Sequence, residues 1–455
     1  MTDSLVYRRR LLAALGTVGF GAVAGCSSTD STGEATEKAT TADGATEATT
    51  PESTAETGTE TEAADELTGP DEFVGVDGTS FTLGDGTFYA SGAELPPQYA
   101  YGLTHPNREQ IRPIIFDALE NVGAMVARTH AYDYAPVELG TPFPGEDNEE
   151  FFELMDRAIV EAKRRDIRLS VIIVNAAPHY HLDPEEHFGM HVPAFVHHVD
   201  SAGEIDEFYT NDECIELYKE WVTELLTREN HVTGVEYRND PTIMMWELGN
   251  EVEWTEPWTR DSQTIRPWIE EVAPHVQDVM DGDQLVTTGE AGWPDGRNDF
   301  RDDHAPDGVD VCSAHWWVGP AHYDLPDDEA EALFERLVET AHGTLEKPLW
   351  IGEYNLGFPE RGSPGKIDEE FLERRNERLR EWHNWMDEAD VAGAILHNLG
   401  SKEIHEEIFD HDHHNDFTTL YGDADEGTVT ELRRYAERTR EKSTASAVPE
   451  LPPRD

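Results

Sequence analysis

Residues 242–254 read TIMMWELGNEVEW, and how this stretch is parsed decides the fold. Thr242 to Trp246 are β-branched or bulky and mostly apolar, the composition of a strand covered on both faces. The run then meets Glu247, Asn250, Glu251 and Glu253. Burying charge is costly unless the charge is paired. A buried strand that runs into acids therefore predicts a strand whose C-terminal end opens into a site.

Outward from this stretch the same texture recurs. Apolar runs at Tyr99–Thr104, Ala124–Thr129, Leu169–Asn175, Ile243–Leu248, Leu285–Thr288, Val309–Ala314, Leu349–Gly352 and Ala392–His397 read as strands. Helical patterns lie between most of them. From Asp212 to Glu229, for example, Ile215, Tyr218, Val222, Leu225 and Leu226 recur at helical spacing, with Asn211 or Asp212 placed to cap the helix. Buried strands alternating with helices predict an α/β protein, a (β/α)8 TIM barrel, over residues 73–440. In such a barrel the catalytic groups stand at the C-terminal ends of the strands.

Two strand ends carry a Glu in similar settings: WELGNE ends in Glu251, and KPLWIGEY contains Glu353. On strands 4 and 7 of a barrel the two would face each other across the mouth. Two carboxylates flanking a glycosidic bond can divide the work, one donating a proton to the leaving oxygen and the other attacking the anomeric carbon. The plainer reading of either Glu alone is an ion pair with a nearby Arg. Two such residues, one preceded by Asn, favour the catalytic pair.

Composition narrows the partners. The chain carries 95 Asp and Glu against 34 Lys and Arg, a formal net charge of −61. That excludes a nucleic-acid binder that works by neutralising phosphate. The 11 Trp, 17 Phe and 14 Tyr supply a core and set the chain apart from acidic disordered proteins. Only seven of the basic residues are Lys. A Lys-poor, strongly acidic surface suits a halophilic protein, because salt screens the self-repulsion.

Residues 1–26 read as an address. Arg8-Arg9-Arg10 precedes an apolar run, Leu11 to Ala24, too short to span a membrane and consistent with a twin-arginine signal peptide. The run ends in V-A-G-C, which resembles the lipobox of secreted lipoproteins; Cys26 would then be lipidated and anchor the protein to the outside of the cell membrane. Residues 27–70 are nearly all Thr, Glu, Ala, Ser, Gly and Asp and predict a disordered, self-repelling acidic linker. Residues 441–455 are expected to be a disordered tail. Cys214 and Cys312 sit in apolar patterns and read as buried free thiols. A His-rich stretch holds His179, His181, His187, His191, His197 and His198, and HDHHN spans 411–415. Neither has the helical His-Glu-His spacing of zinc hydrolases, so both read as polar loops, the first lining the cleft. A metal-dependent hydrolase is the competing reading.

The segment FYTNDECIELYKEWVTELLTREN, followed by TGVEYRNDPTIMMWELGNE, resembles glycoside hydrolase family 5, a family of retaining (β/α)8 glycosidases, and most of all its endo-β-mannanase branch. Weaker likeness extends from about Tyr99 to Tyr421. The resemblance implies that Glu251 is the acid/base and Glu353 the nucleophile. It implies that Asn250 bonds the sugar 2-hydroxyl, that Arg128 in VARTHAYD positions the nucleophile, and that His315 in SAHWW lines the site. Two matching positions depart from the family: Trp317 stands where a Tyr bonds the nucleophile, and His397 where a Trp floors the sugar site. Strand 1 also ends in Thr104-His105 where an Asn is common. Trp254, Trp258, Trp293, Trp316 and Trp317 lie near strand ends as possible sugar platforms. The implied activity is hydrolysis of β-linked polysaccharide, as an endo-β-1,4-mannanase, without a cofactor or metal and by a monomer. A β-glucanase and a carbohydrate-binding lipoprotein that has lost turnover are the alternatives.

Overall fold

The computed structural model describes residues 67–96, 108–132, 143–145, 147–176, 191–253, 262–280, 284–292, 298–319, 324–356, 369–404, 419–422 and 426–453. Eight parallel strands form its centre: β4 (Ala90–Glu94), β5 (Val126–His130), β6 (Arg168–Ile172), β7 (Ile243–Glu247), β8 (Leu285–Thr287), β9 (Cys312–Trp316), β10 (Leu349–Tyr354) and β11 (Gly393–Leu396). The sheet runs β8-β7-β6-β5-β4-β11-β10-β9, and a parallel bridge from Thr287 to Val311 joins its two edges into a barrel. Most crossovers carry a long helix, such as Arg108–Val122, Glu149–Arg164, Asp212–Leu226, Ser262–Met280 and Glu369–Glu388. The helix Asp212–Leu226 starts where its cap residue dictates: the Asn211 side chain accepts the backbone N–H of Glu213.

Seven of the eight expected strands overlap barrel strands. The first does not: barrel strand 1 is Ala90–Glu94, and Tyr99–Thr104 lies outside the described residues. The sequence ASGAE carries no β-branched or aromatic side chain, so propensity passes it over. It pairs as a strand because it is small. A Cβ on Gly92 would stand 1.7 Å from the Val126 carbonyl oxygen, a spacing only glycine permits.

Before the barrel, β1 (Val74–Asp77), β2 (Ser80–Leu83) and β3 (Gly86–Phe88) form an antiparallel sheet. Its Val74, Phe81, Leu83 and Phe88 pack with Val126, Leu285, Val311 and Trp350, near the starts of the barrel strands. The N-terminal end of the barrel is thereby plugged, which leaves the C-terminal end as the mouth. The expected disordered tail is a correction. Thr444 and Ala445 donate backbone N–H groups to the Thr87 carbonyl, Ala445 is buried, and Arg433 and Arg440 donate to the carbonyls of Pro452 and Pro449. Its apolar residues are few, but backbone and arginine hydrogen bonds pin it to the plug and the last helix, Glu426–Lys442.

Cys214 and Cys312 are free and buried, with burial pushing their thiols up to about 11 and about 12. Cys26, residues 27–66 of the expected linker, residues 177–190 with most of the His-rich stretch, Trp254, Trp258, Trp293 and HDHHN lie outside the described residues; the end of the expected linker, 67–70, is described, and Pro70 is buried.

Candidate active site

The parallel sheet delivers the C-terminal ends of β4, β5, β7, β9, β10 and β11 to one place. Arg128, on β5, is fully buried there and is the hub. Its Nε and Nη2 donate to Glu247 at 2.9–3.0 Å, and Nη2 also donates to Asn250 Oδ1 at 2.9 Å. Nη1 donates to Glu94 Oε2 and to Glu353 Oε1, both at 2.6 Å. Burial disfavours the cation, but Glu247, Glu94 and Glu353 outweigh it and raise the Arg128 pKa well above its ordinary value. A guanidinium suits this post because its planar fork can hold several carboxylates at once.

Glu251 follows β7 in a left-handed conformation, φ 53°, uncommon for a residue with a side chain. Its N–H donates to the Gly289 carbonyl at 2.8 Å, which ties the turn to the loop after β8. Such strained residues cost on the order of 1–3 kcal/mol and tend to mark functional sites. The turn carries the Glu251 carboxyl back over the mouth, where Oε1 lies 3.1 Å from His315 Nδ1. That same Nδ1 lies 3.7 Å from Glu353 Oε2, and Trp317 Nε1–H donates to Glu353 Oε2 at 3.1 Å. One oxygen of Glu251, one of Glu353 and a ring nitrogen of His315 all lie within 4.8 Å of one another.

The structure thus gathers Arg128, Asn250, Glu251, His315, Trp317, Glu353 and His397 at the C-terminal ends of the strands. Trp316 points the other way, into the shell against Phe334 and Trp382. Sequence reasoning missed Glu94, whose strand had been placed too late. It noticed Glu247 but gave it no role; Glu247 is the carboxylate that holds Arg128, with Ser170 Oγ donating to it at 2.6 Å. It also missed His130, whose Nε2 lies 3.0 Å from Glu94 Oε1, and Asn175, which accepts from Asn250 Nδ2 at 3.4 Å. Behind Gly289, Glu290 and Asp303 form a second buried acid pair. Burial first, and the neighbouring acids next, hold Glu290 well above the carboxylate range; burial pushes Asp303 up to about 8.

Glu251, His315 and Glu353, and likewise Glu94, Glu353 and His397, offer atoms close enough to share a metal ion. Arg128 already sets a cation against Glu94 and Glu353. Chemically the arrangement is a hydrogen-bonded carboxylate pair rather than a ligand cage. Retaining glycosidases hold their two carboxyl groups about 5–5.5 Å apart, whereas inverting ones leave about 6.5–9.5 Å for a water. Glu251 and Glu353 bring one oxygen each within 4.8 Å of the other, on the short side of that divide.

Fold and site together define a retaining-type (β/α)8 glycosidase. Residues 71–349 match the family described as GH family 5 beta-mannosidase-like, a span that holds every site residue named above except Glu353 and His397. The chain belongs to glycoside hydrolase family 5, in this mannosidase-like group. It is 30% identical over 318 residues to a putative mannan endo-1,4-beta-mannosidase 4 of Arabidopsis thaliana, covering 64% of this chain and 75% of that protein. It is 30% identical over 328 residues to mannan endo-1,4-beta-mannosidase 3 of Oryza sativa subsp. japonica, covering 66% of each. Among solved structures, an endo-1,4-beta-mannanase from Rhizomucor miehei matches at TM-score 0.63 and 20% identity, over 81% of this chain and all of that one. An endo-beta-1,4-mannanase from Thermotoga petrophila matches at TM-score 0.60 and 20% identity, over 77% of each chain. At that identity the two structures speak for the fold.

Proposed function

We propose that the protein hydrolyses β-1,4-linked mannan with retention of configuration, with Glu353 as nucleophile and Glu251 as acid/base. The observation that carries this reading is the closeness of the two carboxylates, one anchored by Arg128 and the other held on a strained turn. In the first step Glu353 attacks the anomeric carbon and the glycosidic C–O bond breaks, while Glu251 gives its proton to the departing oxygen. Arg128 and the Trp317 N–H hold the attacking carboxylate by both oxygens, so little reorganisation is needed in the transition state. Water then attacks the glycosyl-enzyme, Glu251 takes a proton from it, and the ester to Glu353 breaks. Asn250, fixed by Arg128 and Asn175, presents its amide beside Glu251, where it can reach the sugar 2-hydroxyl.

Mannan, rather than a β-linked glucan, is favoured by the relatives named as mannan endo-1,4-beta-mannosidases. Purified protein in concentrated salt should release reducing ends from β-mannan more than tenfold faster than from β-glucan or xylan. Faster release from β-glucan would overturn the substrate. Sugar binding without release from any polymer would overturn catalysis in favour of a binding protein. We also propose that the barrel works outside the cell, tethered through Cys26 by the linker that follows it; this rests on the arginine-led apolar run and the V-A-G-C stretch.

A further inference from the structure

The charges at these strand ends do not balance on Arg128 alone. Glu94, Glu247 and Glu353 have side chains 2%, 0% and 6% exposed. Glu247 takes Nε and Nη2 of the guanidinium as a fork and has that side of the cation to itself, apart from the neutral Asn250. Glu94 and Glu353 are left to share a single nitrogen, Nη1. Nη1 gives each of them one N–H but both the same single charge, and two buried carboxylates on one cation disfavour each other's ionisation unless a second positive charge stands near. His130 does not supply it. Burial lowers its pKa more than Glu94 raises it, so it meets Glu94 as a neutral ring.

His397 stands where the second charge is needed. Its Nδ1 is 3.1 Å from Glu94 Oε2 and 3.7 Å from Glu353 Oε2. Its ring meets the edge of Trp317 at 5.2 Å and 78°, and the Trp317 N–H bonds the same Glu353 oxygen. Among the described residues, the groups facing this corner are Glu94 from β4, Arg128 and His130 from β5, Glu247 from β7, His315 and Trp317 from β9 and its end, Glu353 from β10, and Asn398 beside His397. Burial opposes a charge on His397, but Glu94 and Glu353 outweigh it and hold its pKa up at about 9.

We propose that His397, as an imidazolium, is the second counter-charge of the Glu94–Glu353 pair: a positioning residue that keeps Glu353 an available carboxylate. The proposal rests on Glu353 being the nucleophile.

A 2-deoxy-2-fluoro glycoside with a good leaving group separates the two ideas, because its reaction traps the nucleophile and needs little help from the acid. Peptide mass analysis should find the sugar on Glu353; a label elsewhere would overturn the nucleophile and this proposal with it. The rate of trapping is then followed against pH. Glu353 attacks as a carboxylate, so any change that favours its proton moves the acid limb upward. Glu353 in His397→Gln should still be labelled, but with the midpoint of the acid limb raised by about one pH unit or more, roughly tenfold slower trapping below it. Removing the competing carboxylate as well, in Glu94→Gln/His397→Gln, should return the midpoint towards that of the unmodified protein. A merely structural loss would slow trapping at every pH and would not be rescued this way. His397→Trp, neutral but of fuller volume, carries the same expectation if the glutamine variant does not fold. A neutral variant that labels Glu353 with an unshifted midpoint would refute the role of His397.

Discussion

At the scale of single residues, Glu251 and Glu353 have different surroundings, and this predicts different mutant behaviour. Glu353 is clamped by Arg128 at one oxygen and Trp317 at the other, as an attacking group must be. Glu251 touches His315 from a strained turn. Glu251→Ala should lose about 10²–10⁴-fold on polysaccharide, the usual worth of a positioned proton donor. It should keep its first step on an aryl glycoside whose leaving group needs no proton, and added azide should speed its turnover by replacing the unactivated water. Glu353→Ala should be inactive on both substrates, because the attacking carboxylate is gone. Stopped-time assays with and without azide check this; matching behaviour of the two variants would reverse or dissolve the assignment. The pair itself was legible in the sequence, since each Glu follows an apolar run. The carboxylates that support it were not. Glu94 lies 34 residues from Arg128 and Glu247 lies 119 away, so only the closed barrel shows that all three converge.

At the scale of the element, the strands of β-branched and bulky residues were legible and the strand of small ones was not. β7 reads as a strand because Ile243 to Trp246 fit a pleated surface buried on both sides. β4 forms because its neighbours come close, and closeness is a property of the partners. Gly92 makes this testable. A side chain there would meet the Val126 carbonyl, part of the β4–β5 ladder, and could not be relieved by rotating a flexible neighbour. Gly92→Val should therefore lower the melting temperature by at least about 10 °C or abolish soluble protein, as the rare large destabilisations do. Gly78 has nothing within 4 Å of its Cβ position but a φ of +60°, so Gly78→Ala pays only for backbone strain and should cost far less. Thermal melts of the two variants decide it. Equal losses would mean that the β4–β5 approach tolerates a side chain.

At the scale of the whole molecule, the segment ahead of the barrel and the barrel itself obey different rules. Residues 27–66 carry almost no apolar side chains, whereas the described chain from Leu67 closes around a continuous core. If Cys26 carries a lipid, Cys26→Ser should release the protein into the medium or leave its precursor uncleaved; membrane association unchanged by the substitution, measured by fractionation, would count against the tether. The sequence by itself determined the alternation of strands and helices and the placing of Glu251 and Glu353 at strand ends, because each is carried by local pattern or by residue type at a recognisable position. Only the tertiary structure decided which strand comes first, that residues 443–448 fold back on the plug, and that Arg128 must serve three carboxylates. Those depend on groups far apart in the chain meeting at hydrogen-bond distance, and charge balance in a buried site can be counted only after the barrel has closed.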